Sequence, residues 1–179
     1  MNRHSFSLKP FPSADLLSGI EITGNISRRC NTLEIIYELF GTLAEIVIPA
    51  QTDVPERRNG LWEETCLEFF LGVKNSDQYW EFNLSPSGHW NVYRFKAYRR
   101  DMHEEHALTS LPFTVLIRPE NLMLSLNLDL DKIITADQAL NVAVSAVIKS
   151  VNGKATYWAL THTGPQADFH RRNSFIIEL

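Results

Sequence analysis

Leu61-Trp62-Glu63-Glu64-Thr65-Cys66-Leu67-Glu68-Phe69-Phe70-Leu71 and Tyr79-Trp80-Glu81-Phe82-Asn83-Leu84-Ser85-Pro86-Ser87-Gly88-His89-Trp90 decide the fold when they are read at a period of two. Leu67, Phe69 and Leu71 share one parity, and Cys66, Glu68 and Phe70 share the other. In the second stretch Trp80, Phe82 and Leu84 alternate with Tyr79, Glu81, Asn83 and Ser85. Both read as neighbouring strands with one apolar face. The opposite face of the second carries a phenol, a carboxylate, an amide and a hydroxyl in a row, a set of donors and acceptors suited to a polyhydroxylated or otherwise polar ligand. That inventory favours a binding surface over a reaction centre.

The same short-strand grammar extends in both directions. Apolar runs recur at 19–27, 32–39, 45–48, 65–73, 79–84, 90–98, 113–118, 122–128, 139–150, 155–160 and 174–178, with turn residues between them and no sustained helical stripe. Asn152-Gly153 reads as a hairpin turn, because both residues tolerate positive φ. Arg118-Pro119-Glu120-Asn121 and Ser85-Pro86-Ser87-Gly88 reverse the chain in the same way, with proline presetting the first turn dihedral. Consecutive strands turned this often leave no room for helical crossovers. The expected fold is all-β, a single antiparallel β-sandwich of jelly-roll type spanning residues 1–179, with short helical turns at 13–17 and 131–137.

Composition narrows the function classes. The chain has 179 residues, a formal charge of −4 and only two cysteines. An acidic balance argues against a general affinity for nucleic acid or an anionic membrane. No window reaches the ~18 to 20 apolar residues of a membrane span. The N-terminal stretch lacks the apolar core of a secretory signal, and Cys30 and Cys66 are too few for a disulfide framework, so a cytoplasmic location is expected. No Gly-rich phosphate loop, nucleophile elbow or His-Glu-x-x-His motif occurs.

Several residues carry chemistry. Trp62 leaves a polar loop beside charged residues, and with Glu68, Glu81, Asn83 and Arg94 it combines a flat apolar face with groups able to grip hydroxyls. Arg94 in that scheme needs Glu68 or Glu81 as its partner. Trp80, Trp90 and Trp158 have a core reading, which the shared parity with Phe82 and Leu84 favours for Trp80. His162, Asp168 and His170 share one polar connection and either line a ligand pocket or a metal site, or leave Asp168 and His170 to pin that loop through backbone amides. His103-Glu104-Glu105-His106 reads as a charged loop rather than a metal site. Cys66, in mid-strand, reads as a small hydrophobe.

Residues 61–70, Tyr79-Trp80-Glu81-Phe82-Asn83 with Pro86 and Gly88, and Tyr157-Trp158-Ala159-Leu160-Thr161-His162 followed by Ala167-Asp168-Phe169-His170 and Phe175 resemble the DOMON-like superfamily, in the branch related to type 9 carbohydrate-binding modules. The resemblance implies a β-sandwich that binds a sugar without transforming it. It also implies that Trp62 and Glu68 belong to the binding site and that a second aromatic, for which Trp158 is available, completes a clamp. In other branches the ligand is haem, with Met102 and Met123 as the internal methionines on offer for an axial position. No other cofactor is implied. The expected partner is a small molecule, a carbohydrate first, with a haem or metal carrier and a protein-interaction module as rivals. The expected contacts are Trp62, Glu68, Glu81, Asn83 and Arg94, joined by Trp158 and His162.

Overall fold

The computed structural model describes residues 2–179. Thirteen strands follow one another: β1 (Asn2–Ser7), β2 (Lys9–Pro10), β3 (Glu21–Arg29), β4 (Thr32–Phe40), β5 (Cys66–Val73), β6 (Tyr79–Leu84), β7 (Trp90–Phe95), β8 (His103–Glu104), β9 (Phe113–Ile117), β10 (Asn121–Asp129), β11 (Leu140–Lys149), β12 (Ala155–Ala159) and β13 (Ile177–Glu178). They form two antiparallel sheets. The first runs β1-β3-β4-β10-β9 and the second β2-β12-β11-β5-β6-β7-β8, with β13 also paired to β11. The architecture is a β-sandwich, as the alternation demands.

The inner faces of both sheets close one apolar core. Ile22, Ile26, Leu33, Ile35, Tyr37 and Leu39 from the first sheet meet Leu67, Phe69, Leu71, Trp80, Phe82, Leu84, Val142 and Val144 from the second. Phe69 stacks on its cross-strand neighbour Phe82, with ring centroids 4.3 Å apart. Among the described residues no helix is long and apolar enough to cross a membrane.

The turns follow their chemistry. Gly153 sits at φ +79 with its amide bonded to the Ser150 carbonyl, and Gly88 at φ +98 closes the turn onto Ser85. Arg118 donates its amide to the Asn121 carbonyl across the β9–β10 reversal.

Departures from the sequence expectation are local. Residues 45–48 form no strand; a 3-10 turn (Leu43–Glu45) leads into a single bridge between Ile46 and Ser150. The run at 90–98 stops at Phe95, because Ala97 to Arg100 turn back on themselves with Arg99 at φ +50. The end of the chain is shorter in strand than 174–178, with a 3-10 turn (Arg172–Ser174) before β13. β1 adds an edge strand ahead of the first one expected, paired to β3 along its length.

The outer face of the second sheet is not a solvated surface. All of Cys66 to Gly72 and Tyr79 to Leu84 are buried, on both parities. Residues 167–175 lie across that face, packing Phe169, His170 and Phe175 against Phe70, Tyr79 and Phe95. A second, smaller apolar cluster results. Gly72 makes the crossing feasible: a Cβ there would coincide with the Arg172 guanidinium, which donates to the Val73 and Ser76 carbonyls.

Candidate ligand-binding site

Where the C-terminal strap leaves part of the outer face uncovered, a pocket of about 380 Å³ opens. That volume lies at the small end of the roughly 300–1000 Å³ typical of small-molecule sites. Glu68 from β5 and Glu81 from β6 form its buried floor, and around them stand Phe95, Arg99 and Met102, the half-exposed rings of Trp62 and Tyr157, and Asp168, Phe169 and His170 from the strap.

Each wall has a local cause. Trp62 sits in a 3-10 turn (Leu61–Glu63) that starts from Gly60 at φ +72, and its ring meets Tyr93 edge-on at 5.8 Å. The loop before it is anchored by Arg57, whose guanidinium donates to the Asn91 side chain and to the Glu105 and Leu108 carbonyls while lying over the Trp90 ring. The loop that carries Arg57 and the one that carries Glu105 and Leu108 are thereby tied together. Arg99 occupies the left-handed region, a strained position for a residue with a side chain. Its amide donates to Tyr79 Oη and its guanidinium to Asp168, which hold it there.

The floor is a pair of acids with little polar support. Glu68 is 2% exposed and accepts only a long 3.4 Å hydrogen bond from Ser145 Oγ. Glu81 accepts from Asn83 Nδ2 at 2.9 Å and faces His170 Nε2 at 3.7 Å. Burial pushes both carboxyl groups up, Glu68 well above the usual range with a further push from Glu81, and Glu81 to about 7. Burial pushes the His170 imidazole down to about 4, aided by Arg99 and opposed by Asp168. The Glu81–His170 approach is therefore not an ion pair near neutral pH, since the imidazole is uncharged. Tyr79 Oη, which accepts from the Arg99 amide, is hydrogen-bonded to His170 Nδ1 at 2.9 Å, so one ring nitrogen is held by the phenol while the other faces Glu81.

Asp168 is the ionised member of the site. Burial opposes that charge, but hydrogen bonds from Tyr98 Oη, the Arg99 guanidinium and the His170 amide outweigh it and hold the carboxyl below its ordinary value. Arg171 approaches the same carboxylate at 3.3 Å. The guanidinium in the pocket wall is thus already committed.

Of the residues expected from sequence, the structure brings Trp62, Glu68 and Glu81 together at the pocket. Asn83 is fully buried just beneath, orienting Glu81 rather than lining the space. Arg94 is not with them: it shares the inward parity of Trp80 and Val92 and bonds His103 at the sheet margin, so neither Glu68 nor Glu81 is its partner. Trp158 is also displaced from the expected role. It is 4% exposed in the inter-sheet core and donates to Thr156 Oγ1, whereas Tyr157, one residue earlier, faces the pocket. A one-residue step along a strand exchanges faces. His162 bonds the Lys9 carbonyl and packs on Phe11, outside the pocket lining.

Sequence reasoning did not place Phe95, Arg99, Met102 or Tyr157 here. Tyr157 was legible in principle from the alternation with Trp158; Arg99 was not, because a left-handed turn carries no signal in an arginine. Cys66 lies under the floor, with burial and then Glu68 pushing its thiol up, so it is held protonated.

The donor set does not fit an axially ligated haem. Met123 belongs to the first sheet, opposite Glu38 and Leu116. Met102 lines the pocket, but both ring nitrogens of His170 face protein groups, and His89 Nδ1 accepts from the Glu56 amide. Among the described residues no three His, Cys, Asp or Glu side chains cluster as metal ligands.

No family model matches the chain, and no curated protein is detectably similar to it. Solved structures are similar to it in different degrees. A "putative carbohydrate-binding protein" from Bacteroides uniformis ATCC 8492 superposes with a TM-score of 0.71 at 14% identity, over 97% of this chain and 84% of the other. A family 9 carbohydrate-binding module from Caldicellulosiruptor kristjanssonii in complex with glucose gives 0.47 at 9% identity, over 82% and 69%. The first likeness agrees with the sandwich architecture.

Proposed function

We propose that this protein is a non-catalytic binding domain whose pocket on the outer face of the second sheet takes a carbohydrate or a similar small polar ligand. One observation carries the reading: two buried carboxyl groups, Glu68 and Glu81, lie beneath a mouth flanked by the exposed rings of Trp62 and Tyr157. A pyranose has the complementary surface. Its C–H faces pack on flat apolar rings, and its hydroxyls donate to carboxyl oxygens that lack sufficient partners in the protein. The volume accommodates a mono- or disaccharide rather than a buried polymer. The resemblance to the DOMON-like branch related to type 9 carbohydrate-binding modules supports the same ligand class.

Trp62 provides the test. Of the four tryptophans it is the one at the pocket, the others being buried in the core. Titration with a glycan panel is expected to change tryptophan fluorescence and to release heat, and Trp62→Ala is expected to abolish the fluorescence response. Silence from every sugar at millimolar concentration would remove the proposal.

A further inference from the structure

The charges around the pocket floor do not balance. Glu68 on β5 and Glu81 on β6 face one cavity, and among the described residues no lysine or arginine is bonded to either. The groups presented to them by neighbouring elements are the Cys66 thiol on β5, the phenols of Tyr79 on β6 and Tyr93 on β7, the Glu104 carboxylate on β8, and Asp168 and His170 on the strap. None of these is a cation at neutral pH. The guanidinium that lines the pocket, Arg99, bonds Asp168 at 2.9 Å rather than either floor acid, shares that carboxylate with Arg171, and acts on Glu81 only through space.

A neutral hydroxyl would be served as well by glutamines, which have no charge to desolvate. Two carboxyl groups buried without a counterion are charged only at a desolvation cost, which holding a proton avoids and an incoming cation offsets. The aromatic faces of Trp62 and Tyr157 at the mouth attract cations as well. Resting on the saccharide reading above, we propose that the pocket prefers a ligand bearing a protonated amine over its neutral counterpart, an amino sugar over the parent sugar, with the ammonium group on the floor formed by Glu68 and Glu81. Ammonium binding ionises the acid pair and expels the proton it holds, so the buffer takes up a proton on complex formation. A neutral sugar needs no such release.

The experiment is a calorimetric titration at pH 7.5 of glucose, galactose and mannose against their 2-amino derivatives, with cyclohexylammonium and cyclohexanol as a pair lacking the sugar hydroxyls. For at least one parent sugar the amine is expected to bind about tenfold tighter or better, the scale of a charge-assisted hydrogen bond in a buried site. Changing both floor acids to glutamine is expected to bring the two affinities together. Equal or weaker binding by every amine in the wild-type protein overturns the charge preference and leaves the saccharide reading standing. Binding of cyclohexylammonium, but not cyclohexanol or any sugar, supports the charge preference and overturns the saccharide reading. No binding by any compound overturns both.

Discussion

Tyr157 and Trp158 are consecutive residues of β12 that point to opposite sides of the second sheet, and replacing each in turn by alanine separates stability from binding. Trp158 is 4% exposed, packed into the core between the sheets, and its indole N–H bonds Thr156. Trp158→Ala removes a large buried ring and leaves a cavity, at a cost of about 3–5 kcal/mol. With about 2.1 cal/mol/K of unfolding entropy per residue, a chain of 179 residues loses roughly 2.7 °C of Tm per kcal/mol. The expected fall is therefore about 8–14 °C. Tyr157 is 41% exposed and contributes one edge-on contact to Phe169 at 6.1 Å. Its backbone carbonyl, which accepts from Phe11, survives truncation. Tyr157→Ala is expected to cost no more than about 1 kcal/mol, the span of strand propensities, and so to move Tm by under about 3 °C. In a saccharide titration the ranking inverts: Tyr157→Ala weakens binding about tenfold, and Trp158→Ala, measured well below its own melting temperature, binds nearly as the wild type does. Thermal melts and titrations on the same two samples check the reasoning. A Trp158→Ala protein that is as stable as the wild type yet cannot bind would refute the register and return Trp158 to the site.

Two further outcomes follow from the floor and the strap. The Glu81 carboxyl, pushed up to about 7, keeps a proton in the folded chain that the unfolded chain loses above about 4.5, so its contribution to stability declines as pH rises between those values. His170, pushed down to about 4, stays neutral where the unfolded imidazole is protonated, so its contribution declines as pH falls from about 6.5 to about 4. Glu81→Gln is expected to raise Tm at pH 8 by a few degrees, and His170→Gln to flatten the acid limb of the melting profile; the opposite pattern would contradict the assigned protonation states. Gly72→Ala places a methyl group on the Arg172 guanidinium, at a cost of about 1–3 kcal/mol for overpacking, and is expected to loosen the strap and weaken ligand binding. A Gly72→Ala protein with native melting and affinity would mean that the strap does not dock there.

The sandwich was legible because its signals are local. Alternation in β5 and β6 sorts residues onto two faces, and Asn152-Gly153, Pro119 and Gly88 turn the chain where their backbone preferences dictate. Glu68 and Glu81 could be placed on one face by the same argument. Arg94 and Trp158 could not be recruited to that face, because parity along their strands points them inward, and a reading that favoured their chemistry over their parity put them on the wrong side.

What the chain alone determined is thus the period-two pattern, the reversals and the polar row of β6. Only the tertiary structure decided that this row is roofed rather than wet. The strap crosses β5, β6 and β7 from some ninety residues away in sequence, as the Tyr79–His170 bond shows, and no local preference encodes such a contact. It depends on complementary packing around Phe70, Phe175 and the bare backbone of Gly72, and that packing leaves two acids without counterions inside a pocket.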